Sequence, residues 1–170
     1  MASGTDRATL PALDAGHLHV AIIATRWNER IVQRLIDGAE RALLATGATY
    51  RLVTVPGAFE LPFAAQSVSS SGSVDALVVL GAVIRGETTH YELVSEGCAT
   101  GIMHVQISTG VPIGMGVLTV ENDAQALARS EPAGGHNVGE EATSAAIEMA
   151  LLAAEEAARG SASDVGITAS

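Results

Sequence analysis

The sequence predicts an α/β three-layer sandwich, in which helices cover both faces of a parallel sheet. Strand-like and helix-like segments alternate along the chain, which is typical of parallel strands joined by crossover helices. The strand-like segments are near-continuous apolar runs, as expected of strands buried on both faces. Hydrophobic residues make up 48% of the 170 residues but aromatic residues only 3%. We therefore expect a core of Ala, Val, Ile and Leu, in which small residues allow helices to pack closely on the sheet.

The first strand–helix–strand unit has clear boundaries. The apolar run His19–Ala24 predicts a buried strand. Asn28 is suited to cap the next helix, in which apolar residues recur at helical spacing over positions 31–43. Gly47 stands where a helix commonly ends, and Tyr50–Val55 predicts the second strand.

The rest of the chain continues the alternation. Six further elements are predicted: a short helix from Pro62 to about Val68, a strand at Val74–Val83, a long helix at about Thr89–Ser108, a strand at Pro112–Leu118, a short helix at Glu121–Arg129 and a last helix reaching Arg159. Asn137 and Glu140 have the spacing of a capping box at the start of that last helix. The predicted organisation is an N-terminal arm (1–16), a single domain (17–159) and a tail (160–170) that is expected to be disordered.

Composition and charge exclude several classes of function. The formal net charge is −10 and the pI is near 4.8, and no Lys/Arg cluster could neutralise the phosphates of a nucleic acid or an anionic membrane. Cys98, the single cysteine, excludes an internal disulfide and favours a buried thiol. No HExxH motif or Cys cluster is present, so no metal is expected. No apolar run of membrane-spanning length and no leader occur, and a cytoplasmic protein is expected.

Three loops should meet at one edge of the sheet, because the carboxyl ends of parallel strands lie together and commonly bind ligands. These loops are Thr25–Asn28, Pro56–Glu60 and Val83–His90. The third loop combines glycines, backbone amides and hydroxyls with a histidine that opens a helix. Helix N-terminal amides bind anions, and a neutral imidazole can transfer protons near pH 7. The pattern predicts a site for a small phosphorylated substrate, with His90 as the proton-transfer group.

Other interpretations remain open for each candidate residue. Trp27 can stack on a flat heteroaromatic ring or simply cover the end of the sheet. Glu60 can bind hydroxyl or ring N–H groups, or its charge can only interact with a helix dipole. His90 can instead cap its own loop, although the surrounding amides and hydroxyls favour a function. The absence of GxGxxG, GxxxxGK[ST] and GxSxG disfavours dinucleotide, P-loop and α/β-hydrolase functions.

Several ordered motifs resemble the lumazine synthase family of riboflavin biosynthesis over roughly Leu18 to Leu152. The matching segments are Thr25-Arg-Trp-Asn-Glu29, Pro56-Gly-Ala-Phe-Glu-Leu-Pro62, Gly81-Ala-Val-Ile-Arg-Gly-Glu-Thr-Thr-His-Tyr91, Gly116-Val-Leu-Thr-Val-Glu-Asn122 and the helix from Asn137 to Met149. The resemblance implies a flavodoxin-like fold with a four-stranded parallel sheet. It also implies condensation of 5-amino-6-(D-ribitylamino)uracil with 3,4-dihydroxy-2-butanone 4-phosphate to 6,7-dimethyl-8-ribityllumazine, releasing phosphate and water. No organic cofactor or metal is implied.

The resemblance assigns a role to each site residue. Trp27 stacks on the pyrimidine ring, and Ala58, Phe59 and Glu60 bind the ribityl chain and the ring edge. The backbone of Ala82, Val83 and Ile84 contacts the heterocycle, whereas Glu87 and Thr88 belong to the loop that holds phosphate. His90 transfers protons, and Glu141 orients that histidine. Met115 and Arg129 are implied to reach the site from a neighbouring subunit, where the arginine binds phosphate.

One departure from the family pattern concerns the start of the last helix. The family usually has a Lys-Gly pair there, near the phosphate, whereas this chain has Val138-Gly139. Reduced synthase activity is one expectation, and a diverged paralogue that mainly binds or stores flavin or lumazine is the alternative. Family members assemble as pentamers, decamers or icosahedral shells. The segment 130–137, which separates the last two predicted helices, favours a homopentamer. The active site is then expected at the subunit interface.

Overall fold

The computed structural model describes residues 12–164, with side chains described for residues 12–161. The strands are β1 (His19–Thr25), β2 (Thr49–Val55), β3 (Ala76–Ile84) and β4 (Ile113–Val120). The helices are α1 (Glu29–Thr46), α2 (Leu61–Ser70), α3 (His90–Thr109), α4 (Asp123–Leu127) and α5 (Val138–Asp164). All strand pairs are parallel, and the sheet order is β2-β1-β3-β4.

Helices cover both faces of this sheet, as the sequence predicts. On one face α1 and α5 pack against each other and against side chains such as Ile22 and Leu80. On the other face α2 and α3 enclose a second core that includes Ile23 and Val79. Neighbouring residues of one strand enter opposite cores because strand side chains alternate between faces. The predicted three-layer sandwich with a four-stranded parallel sheet is confirmed.

The predicted boundaries of the strands agree with the structure to within about two residues. A turn of 3-10 helix at Ala58–Glu60, which the sequence analysis did not predict, precedes α2. The predicted short helix at Glu121–Arg129 is reduced to Asp123–Leu127. Asn122 caps this helix, because its side-chain oxygen accepts a hydrogen bond from the amide of Gln125 at 3.0 Å.

The prediction that the side chain of Asn28 caps α1 is wrong. Asn28 has a left-handed backbone with φ 58° and makes no side-chain cap hydrogen bond. The side-chain nitrogen of Asn28 instead donates a hydrogen bond to the carbonyl oxygen of Ala82 at 2.7 Å. Asparagine tolerates the left-handed region better than most residues, so its side chain is free to join β3 to the loop after β1.

Half of the predicted capping box is present at the start of α5. The side-chain oxygen of Asn137 accepts hydrogen bonds from the amides of Gly139 and Glu140 at 2.9 and 3.2 Å. The Glu140 carboxylate, however, pairs with Arg41 on α1 at 3.0 Å. The helix also continues to Asp164, five residues beyond its predicted end, so the predicted tail begins inside α5. Residues 1–11 and 165–170, which belong to the predicted arm and tail, lie outside the described residues.

The α1–α5 contact depends on a close approach at Gly139. A Cβ atom on this glycine would lie 2.1 Å from the carbonyl oxygen of Leu35, a separation that no side chain tolerates. The reciprocal position on α1 is Gly38, where a Cβ would lie 2.1 Å from the side-chain oxygen of Asn137. The two glycines therefore let the start of α5 lie directly against α1.

Cys98 is fully buried in the core between α3 and the sheet, as predicted. Burial raises the pKa of its thiol to about 11, so the sulfur stays protonated near neutral pH. Within residues 12–164, no helix has both the length and the apolar character needed to cross a membrane.

Candidate functional site

An open cleft of about 810 Å³ lies at the carboxyl end of the sheet, where the three predicted loops meet. Its lining comprises Thr25, Trp27, Asn28, Gly57, Ala58, Phe59, Glu60, Ala82, Val83, Ile84, His90, Leu93 and Val94. The parallel topology brings these segments together, because β1, β2 and β3 all end at this edge. A cleft at this edge of a parallel sheet is the usual place for a ligand.

Hydrogen bonds join the loop after β1 to the neighbouring strands β2 and β3. The amide of Arg26 donates to the carbonyl of Val55 at 2.9 Å. On the other side, the Asn28 side chain donates to the carbonyl of Ala82 at 2.7 Å. The backbone that carries Trp27 is thus fixed at both flanks of the cleft, which limits the positions open to its indole ring.

Trp27 and Glu60 flank the backbone of Gly57. A Cβ atom on this glycine would lie 3.3 Å from Cδ1 of the indole and 3.2 Å from Oε2 of the carboxylate. The indole is nevertheless 73% exposed, so one face of a large aromatic ring is open towards the cleft. An exposed indole beside a carboxylate can stack on a flat ring while the carboxylate accepts hydrogen bonds from ring N–H or hydroxyl groups.

His90 is the first residue of α3, as the sequence predicts, and lines the cleft. Its amide donates to the Thr88 hydroxyl at 3.4 Å. The amides of residues 86–89 donate no hydrogen bond to any other group in the described part of the chain. Unpaired amides before a helix N-terminus form an anion-binding arrangement, so an anion can bind next to the imidazole.

Several residues of the cleft lining were not predicted from the sequence. Leu93 and Val94 follow His90 by three and four positions, so one face of α3 presents all three to the cleft. This helical spacing could have identified them. Leu93 is 66% exposed, so its apolar side chain is available to contact a ligand in the cleft.

Five residues that the resemblance assigns to the site do not line the cleft of their own chain. Glu87 and Thr88 lie in the exposed loop immediately before His90. Met115 lies on the edge strand β4, and the guanidinium of Arg129 donates to the carbonyl of Gln125 at 3.0 Å. Glu141 lies on α5, where its carboxylate is 3.4 Å from Nε2 of His136. The pairing with His136, and not with His90, is what one chain shows, and the orienting role of Glu141 stays a prediction.

Val138 occupies the position of the missing lysine. Its amide donates to the carbonyl of Arg129 at 2.9 Å, and its half-buried side chain packs on the α1–α5 core. The backbone thus holds the start of α5 next to Arg129, and a lysine here would bring a second positive charge to that arginine. Within residues 12–164, no cluster of three or more His, Cys, Asp and Glu side chains could hold a metal ion.

Fold and cleft together define a class of protein. The sheet order 2-1-3-4 is that of flavodoxin-like α/β proteins without a fifth strand, and such proteins bind small molecules at the carboxyl edge of the sheet. The model of the 6,7-dimethyl-8-ribityllumazine synthase family matches residues 17–154. The chain belongs to this family.

Individual relatives agree with the family assignment over most of the chain. The 6,7-dimethyl-8-ribityllumazine synthase of Streptomyces avermitilis is 43% identical over 150 residues, which cover 87% of this chain and 92% of the relative. The enzyme of the same name from Kineococcus radiotolerans is 48% identical, with 82% and 87% of the two chains covered. The one from Deinococcus deserti is 47% identical, with 81% and 90% covered.

Proposed function

We propose that the cleft carries out the family's condensation with the residues that line it. The reaction forms 6,7-dimethyl-8-ribityllumazine in riboflavin biosynthesis from 5-amino-6-(D-ribitylamino)uracil and 3,4-dihydroxy-2-butanone 4-phosphate. The primary amine attacks the ketone to give an imine and one water, phosphate is eliminated, and ring closure releases a second water. The observation that carries the proposal is the meeting of Trp27, Glu60 and His90 in one cleft.

The uracil binds at the end of the cleft formed by the first two loops. Its ring stacks on the exposed face of Trp27, and the backbone of Ala82, Val83 and Ile84 contacts the ring edge. The ribityl chain lies along Ala58, Phe59 and Glu60, whose carboxylate accepts hydrogen bonds from hydroxyl groups. Support comes from the exposed indole and from its closeness to Glu60 across Gly57.

The phosphorylated ketone binds at the other end, on the loop before α3. The unpaired amides of residues 86–89 and the Thr88 hydroxyl hold its phosphate, and the adjacent Glu87 belongs to the same loop. His90 moves protons as the imine forms and as the phosphate leaves. His90 suits this role because it lines the cleft at the start of α3, directly after the loop that holds the phosphate.

A neighbouring protomer completes the site in a homo-oligomer, for which we favour a homopentamer. Arg129, Met115 and Glu141 are absent from the lining of their own chain's cleft, which supports their use by an adjoining copy. Arg129 then binds the phosphate, Met115 covers the heterocycle, and Glu141 orients the histidine. The exposed apolar side chains of Leu93 and Phe59 beside the cleft also favour a covering chain. The cytoplasmic location expected from the sequence stays a prediction.

The direct test is an assay of the purified protein with both substrates, following the absorbance of the lumazine product. Turnover above a protein-free control is expected, because the substrates can also condense without enzyme. Replacing His90 with alanine should lower kcat by about a hundredfold or more, the usual contribution of a general acid–base group. The decrease will be smaller if the uncatalysed reaction is fast. A rate equal to the protein-free control would refute the proposal.

The alternative function is binding or storage of a flavin or lumazine. Val138 favours it, because the side chain in the lysine position is apolar and packs on the core. In this case riboflavin should bind tightly, with quenched flavin fluorescence, and no turnover should occur. Turnover together with weak riboflavin binding would exclude this alternative.

A further inference from the structure

Arg85 connects three parts of the structure around the loop at residues 86–89. Its guanidinium forms an ion pair with Glu92 in the first turn of α3 and lies 2.9 Å from a carboxylate oxygen of Glu121, which follows β4. The guanidinium carbon also lies 4.2 Å from the centre of the Tyr91 ring. The amide of the same residue donates to the carbonyl of Val120 at 2.9 Å. We refer to Arg85, Tyr91, Glu92 and Glu121 as the arginine clamp.

The arginine clamp closes the ends of the loop at residues 86–89. Arg85 immediately precedes this loop, whereas Tyr91 and Glu92 follow it by two and three residues. The two ends are therefore joined through a planar guanidinium, whose donors have fixed directions. Glu121 ties the same group to the end of β4, so the loop cannot shift relative to the sheet without breaking an ion pair.

Stabilisation of the whole fold does not explain this arrangement. The side chains of Arg85 and Glu121 are 37% and 56% exposed, and ion pairs at such exposure contribute little to folding stability because water and salt screen them. Residues 86–89, in contrast, are all exposed and make few internal hydrogen bonds. A segment of this kind depends on its anchors for a defined shape.

We infer that Arg85 is a positioning residue, which acts through its ion pairs with Glu92 and Glu121 to hold the loop amides and His90 in the geometry that binds phosphate. Arg85 is not among the residues that line the cleft, and its Nε and Nη1 atoms already donate to Glu121 and Glu92. The inference rests on the proposed function of this loop as the phosphate site. It adds a residue outside the cleft lining to the determinants of ketone binding.

Steady-state kinetics of Arg85→Gln and Glu121→Gln provide the test. Arg85→Gln should raise the KM for the phosphorylated ketone by about tenfold, because small misplacements of binding groups are costly. The KM for the uracil should stay within about twofold, since its binding groups lie on other loops. Arg85→Lys should give an intermediate value, because a lysine restores the charge but not the planar fork.

Glu121→Gln separates positioning from direct binding. If Arg85 positions the loop, loss of this carboxylate should raise the KM for the ketone in the same direction as Arg85→Gln. If Arg85 bound phosphate directly, freeing it from Glu121 would lower the KM or leave it unchanged, and that result would overturn the inference. Arg159→Gln is the matched control, because Arg159 also forms two surface ion pairs, but on the last part of α5.

Melting temperatures, measured with and without inorganic phosphate, distinguish a positioning role of Arg85 from a purely structural one. Melting temperatures of all variants should stay close to wild type, whereas a large decrease with equal losses in every kinetic constant would assign a purely structural role and overturn the inference. The rise in melting temperature caused by inorganic phosphate tests the loop without turnover. If inorganic phosphate raises the melting temperature of the wild type but the wild type has no activity, the proposed function fails. The comparison of this rise between the wild type and Arg85→Gln then still tests the inference about Arg85. If inorganic phosphate raises the melting temperature of Arg85→Gln as much as that of the wild type, the inference that Arg85 positions the loop fails, and the proposed function is unaffected.

Discussion

At the scale of single residues, the indole of Trp27 makes the clearest prediction. Trp27→Ala should raise the KM for the uracil substrate by about tenfold or more, since stacking of a base on an aromatic ring contributes about 1–3 kcal/mol. Stability should change little, because the indole is 73% exposed. The measurement is steady-state kinetics with each substrate varied in turn.

Phe63→Ala is the matched control for the tryptophan variant. Phe63 is also highly exposed but does not line the cleft, so its removal should leave both KM values unchanged. An unchanged KM for the uracil in Trp27→Ala would mean that the indole only covers the end of the sheet, which is the alternative that the sequence left open.

Val138→Lys tests whether the missing lysine limits activity. The new side chain can keep part of its stem on the α1–α5 core and place its ammonium group near Arg129. One charge-assisted contact of about 1–3 kcal/mol should raise kcat/KM for the phosphorylated ketone by on the order of tenfold. Val138→Met controls for side-chain length without charge. Equal activity of the lysine and methionine variants would show that the departure at this position is unimportant.

At the scale of secondary-structure elements, Gly139 controls how closely α5 approaches α1. Gly139→Ala should destabilise the fold by about 3 kcal/mol or more, because the added Cβ would meet the Leu35 carbonyl at 2.1 Å and backbone atoms cannot move away easily. Thermal unfolding should show a melting temperature lower by about 6 °C or more for a chain of this length.

Gly160→Ala provides a control on the same helix. A Cβ atom at Gly160 meets no atom within 4 Å, and alanine favours the helix by about 0.5–1 kcal/mol over glycine. This variant should therefore melt at the same or a slightly higher temperature. A harmless Gly139→Ala would show that the two helices can separate, and would contradict the packing described for them.

The first turn of α3 should respond to pH through Glu92. The ion pair with Arg85, followed by a hydrogen bond to backbone, holds the pKa of Glu92 below its usual value. A lowered folded-state pKa gives stability that is present above the unfolded-state value and is lost as pH falls through the folded-state value. The small difference in melting temperature between wild type and Glu92→Gln should therefore be fully present at neutral pH, and should shrink only as the pH falls below the usual glutamate pKa and through the lowered folded-state pKa. A difference that stays constant from neutral to strongly acidic pH would contradict the ion pair.

The sequence predicted the individual strands and helices better than the order of the strands in the sheet. Apolar runs identified β1 and β3, because these two strands are buried on both faces. No periodicity encodes the sheet order, which places β2 at an edge with mostly exposed side chains. The extension of α5 past Gly160 was missed because glycine normally ends helices. Here the ion pairs of Arg159 with Glu155 and Glu156 support the turn that precedes Gly160.

Site residues were predictable where a loop follows a strand and less so where a contact crosses the fold. Trp27, Glu60 and His90 follow β1, β2 and the β3 loop, so topology alone brings them together. The Asn28 hydrogen bond to Ala82 depends on a left-handed backbone that the sequence permits but does not require.

At the scale of the whole molecule, the proposed site needs residues from a second chain. The cleft is open, and the apolar side chains of Phe59 and Leu93 beside it are exposed. Arg129, to which phosphate binding is assigned, lies elsewhere on the same chain, after α4. In the proposed homo-oligomer, the Arg129 of one copy would lie at the cleft of another, and the neighbouring chain would also cover the exposed apolar side chains. Light scattering should give about 87 kDa for a pentamer of 17.3 kDa chains.

Co-expression of His90→Ala and Arg129→Ala chains tests this shared site most directly. Each variant alone should be strongly impaired, with light scattering confirming that both assemble. In mixed oligomers, random neighbours should restore about one quarter of the sites, since half of the chains supply the histidine and half supply the arginine. The account predicts kcat/KM near one quarter of wild type in the mixture, whereas activity no higher than the average of the two variants would contradict it.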